Sequence, residues 1–259
     1  MTLQFRENEE EIADYRDYLI RKRLSKISFT VFIGSGKGGV GKSLIAATTG
    51  LLLSTFGFKA ALLDLDMHGP SSSMILNINE LPLEEKEGLS PPEVNNLKVI
   101  SIGLFVKEGP LPLSGDAKRE ALKELLAITD FGCLDYLIVD LPPGTGDESL
   151  AAINLITNNR GVILVSTPSL LSLQVVRRAS IFFKDMKVKI IGLIENMVVN
   201  ERLGETCRLA EELGVPFLGY IPYDNRVAYI SEKIDPTELV KTEFAEALKK
   251  ALRKAKILD

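Results

Sequence analysis

Residues 34–43 read GSGKGGVGKS, directly after the apolar run ISFTVFI. From Gly36 the segment matches G-x-x-x-x-G-K-[ST], with Gly41, Lys42 and Ser43 closing it. It follows an expected strand and opens an expected apolar helix, SLIAATTGLLL, the context that makes the pattern a phosphate cradle. Glycines let a loop turn several N–H groups inward, and the helix N-terminus adds a positive dipole end. Gly36, Lys37, Gly38, Gly39, Val40, Gly41, Lys42, Ser43 and Leu44 are therefore the expected nucleotide-binding segment. Lys42 is expected on the β- and γ-phosphates and the Ser43 hydroxyl on Mg²⁺. Two further segments carry carboxylates. LLDLDMHGPSS places Asp64 and Asp66 at a strand end, the edge where open α/β sheets bind ligands. DYLIVDLPPGTGDESL places Asp140 at the end of another strand, where a buried carboxylate calls for a cation. Ser43, Asp64, Asp66 and Asp140 form the expected Mg²⁺ set, held directly or through water. For Asp64 a strand-end cap or ion-pair partner is the competing reading. Pro143 and Gly144 follow in a turn, where the Gly144 N–H is suited to sensing a γ-phosphate. The sole histidine, His68, reads as a polar surface residue of the loop after Asp66.

These residues need a scaffold that brings three strand ends level. Seven apolar runs supply it: 27–33, 59–65, 97–105, 135–141, 161–167, 188–196 and 216–222. Several are apolar at successive positions instead of alternating, as in strands buried on both faces of a parallel sheet. Helical stretches lie between them, including DAKREALKELLAIT, SLQVVRRASIFFKDM and GETCRLAEELG; Gly214 and Pro216 stop the last. The expected fold is α/β, a P-loop nucleotide-binding fold with a mostly parallel twisted sheet of seven or eight strands, helices on both faces and an extra N-terminal helix. Residues 77–96 read as an irregular surface loop. No domain boundary is evident, so residues 1–259 are expected to form one unit, with 1–26 a helical arm and 236–259 a C-terminal amphipathic helix.

In the arm, Asn8 and Glu11 resemble a capping box, and Ile12, Tyr15 and Leu19 make a narrow apolar stripe. A helix packed on the sheet edge and a docking arm are equally compatible with it. At the other end Phe244, Leu248 and Leu252 share one face, as in a helix packed on the core; a membrane-surface helix is the less favoured reading. The 259 residues carry a net charge of −4, which argues against a general nucleic-acid surface. No signal peptide or membrane span is read, and Cys133 and Cys207 form no CxxC, so a reducing, cytoplasmic setting is expected.

The second loop lysine, Lys37, has no task in a lone phosphate loop. KGGVGKS resembles the deviant Walker A loop of the Mrp/MinD/ParA ATPases. DLDMHGPS, DYLIVDLPPGTGD, IENM and GVPFLGYIPYD resemble the Mrp branch in particular, from about residue 27 to about 235. The resemblance implies an ATPase that binds ATP or ADP with Mg²⁺ and works as a homodimer with nucleotide sandwiched between subunits. Lys37 would be the signature lysine reaching the partner's phosphates, and with Lys42 and Asp66 it makes the catalytic set. Asp66 matches the switch I aspartate that orients water, Asn196 the residue on the adenine edge, and Pro222 and Asp224 those beside the base. Cluster-carrying Mrp proteins have a C-P-x-C pair after the ENM segment, and this chain reads ENMVVNERLGETCRLAEELG. On that ground no iron–sulfur cluster is expected, and cluster carriage is disfavoured. The resemblance then implies an accessory ATPase of metal-centre assembly. Its refinement is the archaeal ATPase-type HypB, a nickel-delivery protein of hydrogenase maturation partnered by the metallochaperone HypA. The alternative is a MinD/ParA-like positioning switch acting on membrane or DNA.

Overall fold

The computed structural model describes residues 14–66, 71–78, 80–105, 115–199, 204–227 and 235–258. His68 and the Asn8, Glu11 and Ile12 of the expected capping box and stripe lie outside these residues. All seven apolar runs form strands of one sheet: β1 (Ile27–Ser35), β2 (Ala60–Asp64), β6 (Leu97–Ser101), β7 (Leu134–Asp140), β8 (Arg160–Ser166), β9 (Lys189–Val198) and β10 (Phe217–Pro222). The sheet runs β10-β9-β8-β1-β7-β2-β6-β5, where β5 (Glu93–Val94) is antiparallel to β6 and every other neighbour is parallel. The segment read as an irregular loop thus contributes an edge strand, and also a small hairpin, β3 (Leu83–Glu85) with β4 (Gly88–Ser90). Its residues are largely exposed, so no apolar alternation advertised them.

Side chains leave each strand to both faces, which explains the continuous apolar runs. One face packs against α2 (Lys42–Thr55) and the last helix, α8 (Glu243–Lys254); Phe244, Leu248 and Leu252 are buried there, as the pattern foretold. The short α3 (Ser72–Ile75) lies against α2 and β6. The other face packs against α4 (Gly115–Ile128), α5 (Asp147–Leu155), α6 (Leu170–Asp185) and α7 (Glu205–Leu213). Gly214 ends α7 in the left-handed conformation at φ 64°.

The N-terminal helix α1 (Tyr15–Leu24) packs on α4. Asp14 caps it by accepting from the Arg16 N–H at 2.9 Å. Ile20 and Leu24 are its buried side chains and Leu19 of the expected stripe packs half-buried against the core beside them, whereas Tyr15 is exposed. A network of Asp14, Arg16, Asp17, Glu120, Lys123 and Glu124 joins α1 to α4, and Tyr15 lies outside it, exposed. No helix among the described residues is long and apolar enough to cross a membrane.

Register fixes the site. Asp140 stands opposite Ile33 of β1 and opposite Asp64 of β2. The C-terminal ends of β1, β7 and β2 are therefore level, with the glycine loop rising from β1.

Candidate nucleotide site

Beyond β1 the chain turns tightly. The Ser35 hydroxyl donates to the Lys37 carbonyl at 2.7 Å, and Gly39 has φ 73°. A Cβ on Gly36 would lie 2.5 Å from the backbone carbonyl carbon of Val175 in α6, so only glycine lets α6 approach this closely. Gly41 caps α2 at φ 85°, and a Cβ there would stand 2.4 Å from the Asn196 amide nitrogen. That amide donates to the Val40 carbonyl at 2.9 Å. Asn196 therefore braces the loop from β9, a contact that sequence spacing could not show. Lys42 is buried in the first turn of α2, and Lys37, Ser43 and Leu44 are half-buried.

Below the loop sit two fully buried carboxylates. Asp64 accepts at Oδ1 from the Asp66 N–H (3.0 Å) and at Oδ2 from the Ser72 N–H (3.1 Å) and the Ser101 hydroxyl (3.2 Å). Asp64 thus ties the end of β2, the start of α3 and β6 together, which is the cap reading of this residue in three-dimensional form. Asp140 accepts at Oδ2 from the Ser72 hydroxyl at 3.4 Å. Its Oδ1 is buried with no hydrogen-bond partner. Burial pushes both carboxyls well above the ordinary carboxylate range, and the charge of Asp140 adds to the rise at Asp64. Lys42 and the Ser43 hydroxyl pull Asp140 back down, while the half-buried Asp66 pushes it up. Lys42, Ser43, Asp66 and Asp140 are thus within electrostatic reach of one another. An orphaned buried carboxylate oxygen beside a hydroxyl suits a hard divalent cation, so the residues present fit Mg²⁺. Ser72 and Ser101, which hold the carboxylates, were missed; the only hint was the serine run after the Asp64–Asp66 loop.

The Pro143–Gly144 turn lies against the glycine loop. The Gly144 N–H donates to the Ser35 carbonyl at 3.2 Å, and a Cβ on Gly38 would come within 3.8 Å of the Pro143 ring. On the opposite flank a cavity of about 320 Å³ opens beside Leu44 and is lined by Asn196, Met197, Pro222, Tyr223, Asp224 and Phe244. The structure thus brings the three expected base-side residues, Asn196, Pro222 and Asp224, to one cavity. Asp224 Oδ1 accepts from the Arg226 N–H at 3.0 Å, and Oδ2 is buried without a partner.

Cys133 and Cys207 are both free thiols. Cys133 precedes β7, at the edge of the sheet opposite the nucleotide, whereas Cys207 lies half-exposed in the first turn of α7, after β9. Among the described residues no three His, Cys, Asp or Glu side chains cluster to hold a metal within one chain.

Comparison with known proteins fits this geometry. A family model described as ParA, NUBPL iron-transfer P-loop NTPase, matches residues 26–256. An iron–sulfur cluster carrier protein of Methanocaldococcus jannaschii is 34% identical over 256 residues, covering 92% of this chain and 88% of its own. One from Saccharolobus solfataricus is 31% identical over 237 residues, 85% and 79% respectively. Among solved structures, a nucleotide-binding protein of Archaeoglobus fulgidus in complex with ADP superposes with a TM-score of 0.73 at 31% identity, covering 86% of this chain and 92% of that one. The cell division ATPase MinD of Pyrococcus furiosus shares the fold, with a TM-score of 0.65 at 19% identity over 88% and 98%.

Two expectations are overturned. Nickel delivery with HypA, and with it the positioning-switch alternative, gives way to relatives named iron–sulfur cluster carriers along most of the chain. The expected absence of a cluster falls for the same reason. A missing cysteine pair rules out one set of ligands from one segment of one chain; it does not rule out thiolates supplied by two chains.

Proposed function

The chain belongs to the NUBPL iron-transfer P-loop NTPase family and is an ATPase, and on that premise we propose that it is an ATP-driven homodimeric carrier of iron–sulfur clusters. Asp140 carries the nucleotide half of this reading: a fully buried carboxylate with an orphaned oxygen, at the floor of a glycine loop and within reach of buried Lys42. The loop N–H groups and Lys42 hold the phosphates of ATP. The Ser43 hydroxyl and Asp140 would hold Mg²⁺, which when bound would supply positive charge to the β- and γ-phosphates. Asp66 orients the attacking water as a base-side carboxylate. Lys37 reaches the phosphates of the second subunit, where a cation counters the charge of the transferring phosphoryl group. Gly144 exchanges its hydrogen bond to Ser35 for one to the γ-phosphate. Asp224 Oδ2 accepts from the exocyclic amine of adenine, a donor that guanine lacks at that position.

The cluster is cargo. Cys207 is the thiol on the nucleotide side of the sheet, and one Cys207 from each subunit supplies two of the four thiolate ligands a cluster takes, with small exogenous thiols completing the set. Relatives' names support cluster carriage, and the free, half-exposed state of Cys207 fits it. Anaerobic reconstitution with iron and sulfide tests this directly. The expected result is a visible chromophore at one cluster per dimer that Cys207→Ser abolishes and Cys133→Ser leaves. A chromophore indifferent to Cys207→Ser, or none at all, would remove Cys207 from the reading.

A further inference from the structure

Helix α1 presents an outer face that the nucleotide chemistry does not use. Tyr15 and Tyr18 are 67% and 57% exposed. Their rings stack 5.7 Å apart at 28°. Arg21 and Lys22 follow one turn on, both exposed. The remaining cations of this region are engaged. Arg16 binds Asp14, Glu120 and Glu124, and Arg23 donates to the Ala127 and Glu87 carbonyls and pairs with Asp130. Lys26 lies 3.7 Å from Asp130. Arg21 and Lys22 have no carboxylate partner among the described residues. Their place at the helix C-terminus suits the dipole, but the dipole gives no reason for two stacked aromatics in water beside them. Because Arg16, Lys123 and Arg23 pin α1 to α4 and its surroundings, the four side chains stand on a fixed support.

We propose that Tyr15, Tyr18, Arg21 and Lys22 form a docking face for an acidic segment of a partner protein. Its carboxylates pair with Arg21 and Lys22, and an aliphatic or aromatic side chain covers the tyrosine pair. Charge decides the occupant. Among the described residues Arg21 and Lys22 are the unpaired charges of the outer strip, while Asp14, Asp17, Glu120 and Glu124, each paired with Arg16 or Lys123, flank the face from the α4 side. A polyphosphate backbone would meet those carboxylates, whereas a short acidic peptide needs only the outer strip. A two-fold contact centred here would set the cations of one copy beside those of the other. The inference is independent of the cluster reading, since none of its residues lies near the nucleotide or Cys207.

The probe is a fluorescein-labelled peptide of glutamates interrupted by leucines, with a glutamine-for-glutamate counterpart and a labelled oligouridylate of equal length. Fluorescence anisotropy is expected to show saturable binding of the acidic peptide and about tenfold weaker binding of the glutamine form, as loss of two charge pairs implies. Arg21→Glu/Lys22→Glu is expected to weaken it by about tenfold or more, and Tyr15→Ser/Tyr18→Ser by a few-fold, with ATP hydrolysis unchanged in both and the melting temperature lowered by at most a few degrees in the charge-reversal variant. Absence of saturable binding, variants that bind as the parent does, or tighter binding of the oligouridylate would each overturn the proposal.

Discussion

Replacing Asp140 with asparagine should make the nucleotide-free, metal-free protein more stable while it destroys the response to Mg²⁺–ATP. The two buried carboxylates stand opposite each other in register, and one oxygen of Asp140 has no partner. Leaving a buried acceptor unsatisfied costs about 1–3 kcal/mol, and the neighbouring charge of Asp64 adds to it. An asparagine removes the charge and offers N–H donors to the same cluster. A gain of about 1–3 kcal/mol corresponds to roughly 2–10 °C in melting temperature for a chain of this size. The pH dependence follows from the raised folded-state pKa values of both carboxyls, whose first cause is burial. The native state holds protons that the unfolded chain loses near the ordinary carboxylate value, about 4. Stability from these groups is therefore present at low pH and lost as pH rises through the raised folded values. The gap between variant and parent should widen from about pH 5 to about pH 8. Thermal melts in chelator at several pH values, with and without Mg²⁺–ATP, measure all of this. A variant less stable than its parent at every pH, or one still stabilised by Mg²⁺–ATP, would refute the placement of Asp140 as a cation-seeking carboxylate.

Lys42→Ala should weaken ATP binding by about tenfold to a hundredfold, the loss of a charge-assisted contact of about 1.5–3 kcal/mol, read by calorimetry. Lys37→Ala should keep ADP affinity yet lose ATP-dependent dimerisation, seen as an unshifted peak in size-exclusion chromatography with ATP. Gly41→Ala combines a left-handed φ with a collision at the Asn196 amide, so a cost of about 2–4 kcal/mol is expected, with ATP affinity falling in step. Asp224→Asn should narrow the preference for ATP over GTP in competition binding, because on the proposed base contact a buried acceptor becomes a mixed donor and acceptor.

The six interior strands were legible because burial on both faces writes continuous apolar runs, which few other elements share; the edge strand β10 is only half-buried. The glycine loop was legible because its φ requirements and close approaches admit little else; Gly36 against Val175 and Gly41 against Asn196 show why. Helix α8 announced itself through Phe244, Leu248 and Leu252. The hairpin β3–β4 did not, since its residues face water and leave no alternation. Nor did α5, a short helix of small residues whose alanines carry little periodicity. The seat of α1 on α4 includes ion pairs to Glu120, Lys123 and Glu124, a hundred residues away, which no local window contains. The hydrogen bonds to Asp64 come from Ser72 and Ser101 on other elements, so sequence could weigh a cap against a metal ligand but not decide. Cargo was the least legible, because the absence of one ligand motif was read as the absence of its ligand.

The most direct measurement is cluster transfer from the reconstituted dimer to an apo acceptor of a [4Fe–4S] cluster, followed anaerobically with and without ATP. The account predicts that acceptor activity appears with the parent protein, that its rate responds to ATP, that Lys37→Ala loses this response, and that Cys207→Ser transfers nothing. Transfer at one rate in all nucleotide states and in Lys37→Ala would contradict the coupling of the phosphate loop to cargo.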